Sequence, residues 1–82
     1  MSAQTFTLST NPVQISDGTK ACYVQEISGS LTRYTCSPSK PNTTTTPFCT
    51  ILRNDVAIGR GFPTWAWTSG TPIKITVLYE EI

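Results

Sequence analysis

Pro72-Ile73-Lys74-Ile75-Thr76-Val77-Leu78-Tyr79 is the most apolar stretch of the chain. Taken at every second position, Ile73, Ile75, Val77 and Tyr79 fall on one side, and Lys74, Thr76 and Leu78 on the other. That is the two-residue period of a half-buried strand, and its β-branched side chains suit a pleated surface better than a helix. The first four residues are expected to supply a large share of the core. Leu78 is the exception to an otherwise polar outer side and a candidate docking point for a neighbour.

Working back from this strand, Ser69-Gly70 is a turn, preceded by the aromatic run Phe62-Pro63-Thr64-Trp65-Ala66-Trp67. Residues 62 to 79 therefore read as a hairpin. If the run is extended, Trp65 and Trp67 project from one face and Phe62, Thr64 and Ala66 from the other. Such a Trp pair suits a platform for a sugar ring or an interface anchor. In a chain with so few large side chains, at least one Trp is instead expected to plug the core. Gly59-Arg60-Gly61 breaks the preceding alternation of Val56 and Ile58, which makes Arg60 a loop tip or a partner contact. Phe48 to Arg53 has strand character, and Asn54-Asp55 reads as a turn.

Ser37 to Pro47 contains three prolines and a threonine run, and reads as the longest surface loop, either a passive connection or a binding segment. Its Asn42-Thr43-Thr44 matches a glycosylation acceptor, which has meaning only for a secreted chain. Further back, Phe6 and Leu8 alternate with Thr5, Thr7 and Ser9. Val13 and Ile15 follow Asn11-Pro12. Asp17-Gly18 is the strongest turn signal, and is expected to join residues 12–16 to Lys20–Ile27 as a hairpin. In that strand the two faces are similar in polarity, so cover on both sides is expected. Ser28-Gly29-Ser30 should make a further hairpin with Leu31–Cys36.

Apolar residues recur at two and hardly ever at three and four, so no helix is expected. The chain reads as one all-β domain over residues 1–82: a small antiparallel β-sandwich or partly closed barrel of six to eight strands. With 82 residues and a hydrophobic fraction of 38%, its core is modest, and domains of this size often recruit a disulfide, a metal or another subunit. Cys22, Cys36 and Cys49 are odd in number, and no apolar leader precedes them. Cytosolic synthesis with mostly reduced thiols is therefore expected. The absence of His and of any C-x-x-C pair speaks against a zinc site. Subunit or partner contacts remain as the expected source of additional burial.

Six Lys or Arg against five Asp or Glu give a net charge of +1 without runs. This opposes nucleic acid and anionic membrane as partners, and an oligonucleotide-binding barrel is correspondingly disfavoured. Without His, Ser-His-Asp and Cys-His arrangements are excluded. Asp17 and Asp55 sit in turns, and Glu80-Glu81 lies at the chain end, so no pair of acids is set for glycoside hydrolysis. Neither an enzymatic activity nor a cofactor is expected.

The order of the opening Thr-rich strand, Asn11-Pro12-Val13-Gln14-Ile15-Ser16-Asp17-Gly18-Thr19, a polar middle, and Gly70-Thr71-Pro72-Ile73-Lys74-Ile75-Thr76-Val77-Leu78 resembles small β-proteins encoded among the virion genes of tailed bacteriophages. The resemblance implies a capsid decoration or cement subunit, made in the host cytoplasm and found in the virion. Such a subunit binds the major capsid or another virion protein and forms a homo-oligomer, with a trimer favoured. Its expected partner contacts are Trp65, Trp67, Phe62, Leu78 and Arg60. The other expectation, drawn from the aromatic spacing, is a carbohydrate- or receptor-binding module in which Trp65 and Trp67 hold a glycan.

Overall fold

The structure is a computed structural model that describes residues 2–26, 31–51 and 55–81. The turn expected at Ser28-Gly29-Ser30, the end of the strand to Ile27, and Leu52, Arg53, Asn54 and Ile82 lie outside the described residues. Eight strands follow in order: β1 (Ser2–Leu8), β2 (Val13–Ser16), β3 (Cys22–Gln25), β4 (Thr32–Cys36), β5 (Cys49–Ile51), β6 (Asp55–Ile58), β7 (Thr64–Thr68) and β8 (Ile73–Tyr79). They form two four-stranded antiparallel sheets, ordered β1-β8-β3-β6 and β2-β7-β4-β5. The sheets do not close into a barrel, so the sandwich form of the expected fold is the one adopted.

The pairing has a simple logic. β1 pairs with β8, β2 with β7, β3 with β6 and β4 with β5. The chain is one long hairpin whose tip is the 37–48 segment, rolled up so that β3–β8 and β4–β7 contacts complete the sheets. This is the jelly-roll arrangement of eight strands.

Three expected hairpins are corrected by it. Residues 12–16 and the strand after Asp17-Gly18 lie in different sheets, as do β3 and β4, and β7 and β8. A turn sequence reverses the chain, but it does not decide whether the returning strand pairs with its predecessor or crosses to the facing sheet. Gly18 does adopt a positive φ of 87°. The reason is a close approach rather than a two-residue hairpin: a Cβ there would lie 2.7 Å from the carbonyl carbon of Phe62, and the Gly61 N–H donates to the Gly18 carbonyl at 3.0 Å.

The alternation in β8 carries through. Ile73, Ile75 and Val77 are buried and Tyr79 is half-buried, and they meet Leu8, Ile15, Val24, Ile51 and Ala66 in the core. Fully burying one such aliphatic side chain contributes about 1.5–3 kcal/mol, so β8 is the largest single-strand contributor here. The Tyr79 hydroxyl donates to the Ile15 carbonyl and ties the end of one sheet to the other. β3 departs from the expected two-sided cover: Cys22, Val24 and the following Glu26 are buried, whereas Tyr23 and Gln25 face outward and are exposed. β3 is an inner strand of its sheet, and only one side of that sheet faces its partner.

Candidate functional site

The five expected contact residues do not form one patch; the rolled hairpin distributes them over three places. Arg60 and Phe62 share the β6–β7 loop at the end of the sandwich that also carries the Asp17-Gly18 turn. Arg60 pairs through Nε with Glu80 Oε1, and the same oxygen accepts the Ala21 N–H at 2.8 Å. The Glu80 N–H returns to the Ala21 carbonyl at 3.0 Å. The Arg60 guanidinium, followed by the Ala21 N–H, holds the Glu80 carboxyl below its ordinary range, and Arg60 is raised in turn. Arg60 is therefore engaged in anchoring the chain end, while Phe62, 63% exposed, is the most exposed large apolar side chain among the described residues.

Trp65 and Trp67 lie on the outer face of the β2-β7-β4-β5 sheet, opposite Thr35 and Arg33 of β4. Despite that position Trp67 is only 1% exposed, which corrects its assignment as a surface contact. Both ends of the 37–48 segment lie against this face. The Trp65 indole N–H donates to the Ser37 carbonyl at 3.1 Å. Phe48 meets Trp67 edge-on, with ring centroids 5.7 Å apart at 75°, and the Arg33 guanidinium sits 4.6 Å over the Phe48 ring. Between these ends Pro41 is buried. Asn42 organises the tip: its Oδ1 accepts the Thr44 N–H at 3.0 Å and the Thr44 hydroxyl at 2.7 Å. Its carbonyl also accepts the Thr46 N–H at 2.9 Å. The loop read as polar surface is thus a cover over a second, smaller apolar cluster that the main core does not include. Half-buried Trp65 donates its N–H to Ser37, and Trp67 is buried, so the two rings do not present a shared open face. Phe48 and Arg33 complete this cluster and were not legible in the sequence, because nothing local to Pro47-Phe48 says which ring it will meet.

Leu78 lies on the outer face of the β1-β8-β3-β6 sheet. The registers align Ala3, Leu78, Tyr23 and Ala57 in one row across all four strands. Ala3, Tyr23 and Ala57 are exposed and Leu78 is half-buried. The neighbouring row, Thr5, Thr76, Gln25 and Asp55, is polar, and the Tyr23 hydroxyl donates to Asp55 Oδ2 at 2.7 Å across it. Side chains directly opposite one another on paired strands lie within contact distance, so each row runs continuously across the sheet.

A cleft of about 480 Å³ opens between β1 and β2, with Phe6 and Tyr79 beside Gln4, Gln14, Asp17 and Lys20. The sequence does hint at it: Ser2 and Gln4 continue the inward alternation of Phe6 and Leu8 with polar side chains. Asp17 is already committed, accepting the Thr19 hydroxyl at 2.6 Å and the Thr19 N–H at 2.9 Å, which lowers its pKa. Among the described residues no group of His, Cys, Asp and Glu is arranged to hold a metal ion. Comparison with protein-family models, curated proteins and solved structures finds no match to this chain.

Proposed function

We propose that the protein is a non-enzymatic virion structural subunit, a capsid decoration or cement protein that binds neighbouring capsid proteins and forms homo-oligomers. The observation that carries the binding role is the uncovered outer face of the β1-β8-β3-β6 sheet, crossed by the row Ala3, Leu78, Tyr23 and Ala57. One face of the other sheet receives a cover from its own loop, and this one receives none among the described residues. Interface cores favour aromatic and apolar side chains and disfavour charge, and this row holds no charged residue. The virion assignment draws on the sequence resemblance. It agrees with the fold at the level of analogy, since jelly rolls recur in viral capsid domains as well as in lectins and cupins, and a fold alone does not define an activity.

The test is co-sedimentation of the purified chain with phage particles lacking it, compared with Leu78→Lys. Leu78 is half-buried on the outer face, so lysine can extend along the surface with its ammonium in water. Loss of association with an unchanged far-UV spectrum supports the reading. Undiminished association of Leu78→Lys removes this face from the contact, and failure of the unmodified chain to associate removes the reading itself.

A further inference from the structure

The two sheets have four edges, and three of them carry the devices that prevent edge-to-edge pairing. β5 (Cys49–Ile51) is closely preceded by Pro47. β2 has four residues, follows Pro12 and is irregular in register between Gln14 and Ser16. β6 carries a charged residue, Asp55. Short length, proline, irregularity and charge are the ordinary protections of an exposed edge. β1 has none of them. Its seven residues, Ser-Ala-Gln-Thr-Phe-Thr-Leu, contain no charge and no proline, and they run in unbroken register with β8 from Ser2–Tyr79 to Leu8–Ile73. Among the described residues β1 pairs on one side only, with β8. Its free side is a row of backbone donors and acceptors about 23 Å long.

We infer that β1 is the seam of a two-fold dimer, in which β1 of one copy pairs antiparallel with β1 of a second copy and joins two four-stranded sheets into one of eight strands. This deepens the homo-oligomer part of the reading above and leaves the particle contact aside. Full overlap of the two strands sets Thr5 opposite Thr5 on the axis, Ala3 opposite Thr7, and Gln4 opposite Phe6. Every opposed pair is uncharged, and a Thr–Thr pair is favourable, so self-pairing meets no like-charge repulsion. The half-buried Phe6 and the cleft beside it lie along the same edge, and the second copy covers them. A standard interface takes about 800 Å² from each partner, against a surface of 4745 Å² for this chain. A seven-residue seam with the cleft mouth falls below that standard size, so association belongs to the weak, concentration-dependent class. An isologous seam closes at two copies, which replaces the trimer favoured from the resemblance.

Sedimentation equilibrium of the full chain over a wide concentration range tests this, alongside Thr5→Lys and Thr5→Glu. Thr5 is exposed on the outer face, and each variant places two like charges opposite each other at the axis. The unmodified chain is expected to pass from monomer to dimer. Each variant should need at least about tenfold more protein, and an equimolar mixture of the two variants should dimerise again as opposite charges meet. A chain that stays monomeric throughout, a trimer, or a dimer indifferent to both variants overturns the seam. Continued particle association by such a chain would leave the proposed function standing. Should either variant unfold, amide exchange of the unmodified chain decides instead: protection of β1 must rise with concentration, and concentration-independent exchange overturns the inference.

Discussion

Replacing Phe48 by alanine removes the ring that stands between the 37–48 loop and Trp67. Phe48 is 40% exposed, so somewhat more than half of its side chain is out of water. For a residue class that buries about 150–250 Å² when fully covered, that is on the order of 100 Å², or about 2.5 kcal/mol. The edge-on contact with Trp67 contributes about 0.5–1.5 kcal/mol beyond area, and the Arg33 guanidinium over the ring about 0.5–1 kcal/mol. Alanine keeps part of the burial and the loop relaxes over the gap, so Phe48→Ala is expected to cost about 2–3 kcal/mol by denaturant titration. In a domain of this size that lowers Tm by at least about 10 °C. The assay specific to the cover is indole emission of the folded variant: Trp67 should become accessible to iodide and its emission should shift to the red, while Trp65 serves as the half-exposed reference. A variant that loses less than about 0.5 kcal/mol, with unchanged quenching, would refute the loop's role as a cover.

Further outcomes follow from other contacts. Glu80 has its carboxyl lowered by Arg60 and the Ala21 N–H. Its contribution to stability is therefore complete above the ordinary glutamate pKa and is lost as pH falls through the lower folded value. Glu80→Gln should flatten the acid side of the stability–pH profile, and an unaltered profile counts against the anchor. Gly18→Ala combines a positive φ with a Cβ 2.7 Å from the Phe62 carbonyl carbon, and should cost about 1–3 kcal/mol in chemical denaturation; a neutral result would mean that the 59–63 loop does not press on this turn. Cys36 and Cys49 are exposed free thiols, whereas Cys22 is buried and its pKa is raised first of all by desolvation. A thiol reagent at neutral pH should modify two cysteines quickly and the third only on unfolding, a split readable by mass spectrometry.

Much of the local structure is legible along the chain, because a strand's alternation comes from its own backbone geometry. Ile73, Ile75 and Val77 point inward as their spacing says, Leu78 points outward, and the turn signals at Asp17-Gly18 and Ser69-Gly70 do mark strand ends. The candidate contacts were harder to place. Arg60 and Phe62 belong together on one loop, but the engagement of Arg60 by Glu80 depends on a residue twenty positions away. Trp67 has the outward parity of a surface residue and the burial of a core residue, because cover comes from a proline- and threonine-rich loop with no apolar periodicity of its own.

The sequence by itself determines that this is an all-β chain, which side of β8 is apolar, and that Ser2 to Leu8 carries neither charge nor proline. Only the tertiary structure decides that successive strands mostly cross between sheets instead of forming hairpins, that the Trp pair lies under a loop, and that Ala3, Leu78, Tyr23 and Ala57 align. The physical reason is the range of the forces involved. Pleat and turn conformation are set by neighbouring residues, whereas the choice of pairing partner is set by burying both inner faces at once, a condition that no single stretch of sequence contains.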